Sequence, residues 1–207
     1  MAKKKKTQGQ QFLSPEQYLK QRARTLEIGK CYKTDIEAFG EGHVIVTRNH
    51  TGGRISLADY LVDAYCLGVK DSFYHLRMED YEVEEMIDFI GADECTYEEA
   101  HNWIYESIAF AEEAGIQPDK SFNLTKYMLE EDTDEIPLIK YDFGRNGKHT
   151  LIVHSRLEAS KYLPLLNQNI GEGNYEFIIK DSPDLDDEDE DFGLDEMSDA
   201  SLSLDSR

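Results

Sequence analysis

Cysteine is scarce in this chain, and its three copies stand far apart at Cys31, Cys66 and Cys95. No CxxC pair exists among them, which excludes a zinc ribbon and a disulfide framework. There is no HExxH, and the six histidines (His43, His50, His75, His101, His149 and His154) show no i, i+4 pairing of the kind that holds zinc on a helix. A Gly-rich phosphate loop is also missing. Gly40-Glu41-Gly42 is too short and carries a carboxylate where a phosphate would sit. No run of 18 apolar residues occurs, so no segment reads as a membrane span. The opening MAKKKKTQGQQ is followed by no apolar stretch of the signal-peptide kind. These absences lead to the expectation of a cytoplasmic protein that needs no cofactor and no resident metal.

Positive charge is the other deficit. Lys and Arg number 22 against 43 Asp and Glu, a formal charge of -21. The imbalance is uneven, because residues 181–207 hold 12 acidic side chains and one basic one. Residues 1–13 run the other way, with Lys3 to Lys6 in succession. Both ends lack the apolar content that offsets ordering entropy and are expected to be disordered. The body between them is still acidic and repels phosphate backbones, so direct nucleic-acid binding by it is disfavoured. A contact through Lys3 to Lys6 with Arg22 and Arg24 is the one nucleic-acid route the sequence leaves open.

Residues 14–180 read as a single α+β domain: a mixed or antiparallel sheet with a long central strand, packed by about four helices. Ser14-Pro15-Glu16-Gln17 is a capping box with proline at the first helical position, and it predicts a helical arm over residues 14–29 that stops at Gly29. Cys31–Ile36 and His43–Thr47 follow as strands around a turn at Phe39–Gly42, and Thr51-Gly52-Gly53 marks the next turn. Ile55–Tyr74 is a long apolar run interrupted by Asp59, Asp63, Lys70 and Asp71. Both of its faces are apolar, which suits a central strand, although Ile55, Ala58, Val62, Tyr65 and Val69 also fit helical spacing. Helices are expected over Glu79–Ile90, Thr96–Ala114, Ser121–Glu130 and from Ser155 to Gly171. Asn146-Gly147 predicts a hairpin between strands Ile136–Phe143 and His149–His154, and Tyr175–Lys180 is a last strand.

The stretch Leu61-Val62-Asp63-Ala64-Tyr65-Cys66-Leu67-Gly68-Val69-Lys70-Asp71 resembles the signature of an uncharacterised bacterial family, "LVD, aromatic, CLGVKD" after a strand ending in basic residues, here Val44–Arg48. The likeness continues through Ile108–Pro118 and Tyr141–Lys148. Some relatives end in a SEC-C-type zinc motif of closely spaced cysteines and a histidine. This chain has no cysteine beyond Cys95, so that metal role does not carry over. The resemblance implies a shared domain and no particular reaction.

Two kinds of chemistry fit the residues. In the enzymatic reading, Asp63 and Asp71 share parity on an extended strand and hold a divalent cation, while Lys70 stabilises developing charge, as in a small metal-dependent hydrolase or nuclease. Restriction-type nucleases place a glutamate two residues before that lysine, and here Gly68 occupies the position. Cys66 beside a histidine such as His75 would make a thiol nucleophile. The competing structural reading pairs Asp63 with a cation, leaves Lys70 and Asp71 at a strand end, and buries Cys66. Likewise Tyr97, Trp103, Tyr105 and Phe110 line a core on helical periodicity rather than a recognition stripe. The preferred reading is a non-enzymatic interaction module that binds a protein or ribonucleoprotein partner, with the acidic segment acting as a phosphate mimic, a shield for the lysine run or a solubilising tail.

Overall fold

Antiparallel pairing dominates the architecture. The structure is a computed structural model and describes residues 13–180. The expectations for residues 1–12 and 181–207 lie outside the described residues. Five strands form one antiparallel sheet: β1 (Glu27–Lys33), β2 (Glu41–Asn49), β3 (Ile55–Asp63), β4 (Gly68–Met78) and β5 (Asp93–Cys95), in the order β4-β3-β2-β1-β5. Helices α1 (Pro15–Arg22), α2 (Ile36–Phe39), α3 (Asp80–Ile90), α4 (Tyr97–Glu113), α5 (Phe122–Thr125) and α6 (Arg156–Asn169) accompany it. A second, parallel pair consists of β6 (Thr150–Val153) and β7 (Glu176–Ile179), with α6 as its crossover.

Alternation on the strands sorts the core into two layers. Val44, Val46, Ala58, Tyr60 and Val62 face α4, where Ala100, Trp103, Ile104 and Ile108 meet them. The opposite face sends Ile45 and Leu57 against Val83 and Ile87 of α3. A third cluster joins Cys66, Leu67 and the end of α4 to Leu151, Val153, Ala159 and Leu166.

The long apolar run is a hairpin and not one central strand. Asp63 ends β3, and its Oδ1 accepts the N–H groups of Tyr65 (2.8 Å) and Cys66 (2.9 Å), closing the turn. Gly68 opens β4 with φ +65°, and a Cβ there would come within 2.9 Å of the Ser107 carbonyl. The turn residues are apolar because the turn itself is buried: Ala64, Cys66 and Leu67 pack inside. Its backbone groups are still satisfied. The Gly40 carbonyl accepts the Ala64 N–H, while the Ala64 and Tyr65 carbonyls accept the N–H groups of Gly144 and Thr150.

Two further expectations are corrected, and one strand stands where none was expected. The first helix stops at Arg22, a 3-10 turn spans Ala23–Thr25, and Gly29 lies within β1. Glycine serves there because a Cβ would stand 2.4 Å from Thr47 Oγ1, a hydroxyl that donates to the Lys30 carbonyl. The Asn146-Gly147 turn forms, with φ values of 54° and 74°, but Ile136–Phe143 joins no strand. The Asn102 side chain instead donates to the Pro137 carbonyl and accepts the Ile139 N–H, giving that backbone partners on α4. Finally, β5 has no counterpart in the sequence reading.

Two arginines fix the segment after α5. Arg48, 1% exposed, donates to the carbonyls of Met128 (2.9 Å) and Leu26 (2.9 Å). Its Nη2 lies 2.8 Å from the Glu130 carboxylate, an ion contact rather than an aligned hydrogen bond. Arg24 donates to the carbonyls of Leu129 and Lys126 and pairs with Glu131. Both cations thus sit where a short 3-10 helix (Lys126–Met128) leaves its last carbonyls unpaired.

Candidate functional site

The expected cluster of Asp63, Lys70 and Asp71 is divided between the two arms of the β3–β4 hairpin. Asp63 and Asp71 therefore do not share one face of one strand. Asp63 is 4% exposed, and both backbone N–H groups of the turn converge on a single oxygen. Burial raises its pKa to about 6, opposed by Lys70 and by those two N–H bonds. Leu61 faces Asp71 while Val62 faces Val69, so Lys70 is the extra residue of a β-bulge. The bulge turns its ammonium toward Glu41, with which it forms an ion pair. Asp71 Oδ1 accepts from the Ser72 N–H (2.7 Å) and from Ser121 Oγ (3.3 Å). Each charged group is thus committed to a different partner.

Cys66 is fully buried, and desolvation pushes its thiol up to about 12. Cys31 and Cys95 are pushed up to about 12 for the same reason. His75 lies on the exposed face of β4, edge-on to Phe73 at 5.9 Å, and not against Cys66. Trp103 is 1% exposed in the main core, stacked on Tyr141. Phe110 stacks on His149, whose Nε2 bonds the Phe110 carbonyl.

The sheet's outer face carries a pair that the sequence reading missed. Asp59, in the middle of β3, is 0% exposed. His43 on β2 approaches it with Nδ1 at 2.9 and 3.0 Å from the two carboxylate oxygens. The register places His43 opposite Leu61 and Ile45 opposite Asp59, so the pair is a diagonal neighbour across two strands. The His43 N–H is fixed in turn by the Thr34 hydroxyl. The hydrogen bond to Asp59 raises the His43 pKa against the effect of partial burial, with Glu41 adding a smaller push in the same direction. The imidazole side chain is 34% exposed, and Nε2 keeps access to solvent. A buried carboxylate holding Nδ1 leaves Nε2 as a proton donor or acceptor at the surface.

Around this pair the outer face is open. Helix α3 covers Ile45 and Leu57. Leu61 is half-buried, and Phe73, paired with Asp59 across the ladder, is 40% exposed. Glu41, Lys70, Asp71 and His75 ring these two apolar side chains. The surface therefore has an apolar centre, a buried ion pair in its floor and a charged rim.

Among the described residues no helix is long and apolar enough to cross a membrane. Comparison of the chain with protein-family models, with curated proteins and with solved structures gives no match.

Proposed function

We propose that the protein is an interaction module that binds a protein partner, free or within a ribonucleoprotein, through the open half of the sheet's outer face. The observation that carries this reading is the incomplete cover of that face, since α3 stops short of Leu61 and Phe73. An apolar centre inside a polar rim is the usual anatomy of a docking surface. The acidity of the chain favours a partner whose facing rim is basic, because like charges across an interface are costly. On this reading the LVDAYCLGVKD signature serves folding: Asp63 and Gly68 build the buried turn that sets β4 beside β3. The test is site-specific photocrosslinking in the source cells, with a benzophenone side chain at position 73 and, as comparison, at Tyr81 on α3. A defined protein captured from position 73 and not from position 81 supports the proposal. Equal capture, or none at position 73, removes it.

A small hydrolase is the second reading, and one observation favours it: the orientation of His43 by Asp59. Its acid–base group is then His43, with Asp59 as the positioning carboxylate, in place of Asp63, Lys70 and Asp71. Turnover of ester or phosphodiester substrates that His43→Ala abolishes would support it. Turnover unchanged by that substitution, or none with or without magnesium, sinks it.

A further inference from the structure

Two of the three cysteines, far apart in the chain, meet at the edge of the sheet. Strand β5 pairs with β1 alone, and its register sets Cys95 directly opposite Cys31. Opposed residues of an antiparallel pair have Cα atoms about 4.5–5.5 Å apart and side chains on one face. A disulfide spans about 4.4–6.8 Å between Cα atoms, so the backbone already holds these two at bridging distance. Both side chains take the face toward α4, Cys31 within the main core and Cys95 packed against it. The Cys95 thiol is raised chiefly by burial and next by the Cys31 thiol beside it. Both are free thiols in this structure, and Cys66 lies in a separate cluster.

The two differ in access. Cys31 is 1% exposed, whereas Cys95 is half-buried and lines a cleft of about 260 Å³. Asp35, Asp93, Glu94 and Glu99 line that cleft with one cation, Lys33. Such a mouth disfavours anionic oxidants and admits a small neutral one. We propose that Cys31 and Cys95 form a modification site for a neutral hydroperoxide, which converts them to a disulfide that staples β5 to β1. The Cys95 thiolate attacks one peroxide oxygen, the O–O bond breaks, and the departing oxygen takes a proton and leaves as water. Cys95 is then a sulfenic acid. The Cys31 sulfur attacks the Cys95 sulfur, its proton passes to the departing hydroxide, and a second water leaves. The peroxide is thus reduced by the two electrons that the thiol pair gives up. Burial pushes both thiols up to about 12, so thiolate is scarce and the reaction answers lasting exposure rather than a brief pulse. Cys95 immediately precedes Thr96, the N-cap of α4, and β5 follows α3. The bond therefore pins the junction of those two helices to the sheet, at the edge opposite β4 and apart from the face proposed for a protein partner.

Exposure of the reduced full chain to excess hydrogen peroxide, followed by alkylation under denaturing conditions and peptide mass mapping, tests the assignment. A peptide linked through Cys31 and Cys95 is expected, lighter by two hydrogens and restored by dithiothreitol, with Cys66 alkylated. Cys66→Ala should give the same link at the same rate. Cys31→Ser removes the attacking sulfur, so Cys95 should stop at the sulfenic acid and take a dimedone adduct that the wild type does not accumulate. The oxidised chain should melt about 5 °C or more above the reduced one, since the bond closes a long loop, and amide exchange at Asp93–Cys95 should slow. A wild type in which Cys95 passes to sulfinic acid, or links two chains, while Cys31 stays free overturns the proposal. So does a Cys31–Cys95 link that appears only in denaturant, or a Cys95 left unreacted. A link formed without a rise in melting temperature overturns the staple.

Discussion

Replacing His43 by Phe keeps a ring of similar size on β2 and removes the only side-chain partner that the Asp59 carboxylate has among the described residues. Taking one member from a fully buried ion pair costs about 3–5 kcal/mol. Water reaches the exposed third of His43, so the expected loss is smaller, about 2–3 kcal/mol. For a chain of this length that corresponds to a fall in Tm of about 4–12 °C. Replacing both members, His43→Phe with Asp59→Val, removes the buried charge as well. The double variant should recover most of the loss, because an apolar pair in a buried position is close to neutral. The coupling has a pH signature of definite sign. The folded-state pKa of His43 is raised, so between the unfolded value near 6.5 and that higher value the native state binds more protons than the unfolded chain. The stabilisation is complete below the unfolded value and fades as pH rises through the folded one. Urea unfolding of the wild type, both single variants and the double variant at about pH 6 and about pH 9 closes the cycle. A coupling below about 0.5 kcal/mol at the lower pH, or one of equal size at both, would refute the reasoning.

Asp63 should lose stability in the same direction of pH for a different reason, since burial favours its neutral form: the native state holds a proton longer than the unfolded chain does, and stability falls as pH rises from about 4 to about 6. Asp63→Asn keeps an acceptor for the Tyr65 and Cys66 N–H groups and should flatten that part of the curve, which thermal unfolding across pH would show. Arg48→Met leaves the Met128 and Leu26 carbonyls unpaired inside the protein and should cost about 3–5 kcal/mol, with faster amide exchange over residues 126–131 as the local readout. With all three thiols pushed up to about 12, iodoacetamide at mildly alkaline pH should leave Cys31 and Cys66 unmodified in the native protein and label Cys95, the least buried, only slowly. Rapid native labelling of Cys66, read by mass spectrometry, would contradict its placement in the core.

What the sequence made legible is mostly local. The capping boxes at Ser14/Gln17 and Thr96/Glu99 form as read, because each is closed by two hydrogen bonds three residues apart. The Ser155 cap forms through one local bond, its hydroxyl accepting the Glu158 N–H, and the Asn146-Gly147 turn through the two bonds between Arg145 and Lys148. The reading failed where distant contacts override local pattern. Apolar turns usually signal continuing structure, and Ala64–Leu67 is apolar because Gly144 and Thr150, far along the chain, donate to its carbonyls. The Asp63 and Gly68 signals for a hairpin were present, but the hydrophobicity between them hid the turn. Strand β5 is Asp-Glu-Cys, a composition with no strand preference, and it exists by pairing with β1. The His43–Asp59 pair was within reach: the Thr51-Gly52-Gly53 turn sets Asn49 opposite Ile55, and counting back along both strands brings the two residues to diagonal positions.

The proposed docking face is tested most directly by hydrogen exchange on the chain with and without a partner purified with it. Slowed exchange is expected across Gly68–Met78 and Glu41–Ile45, with Asp80–Ile90 unchanged. Slowing confined to α3 or α6, with β4 exchanging as freely as before, would contradict it.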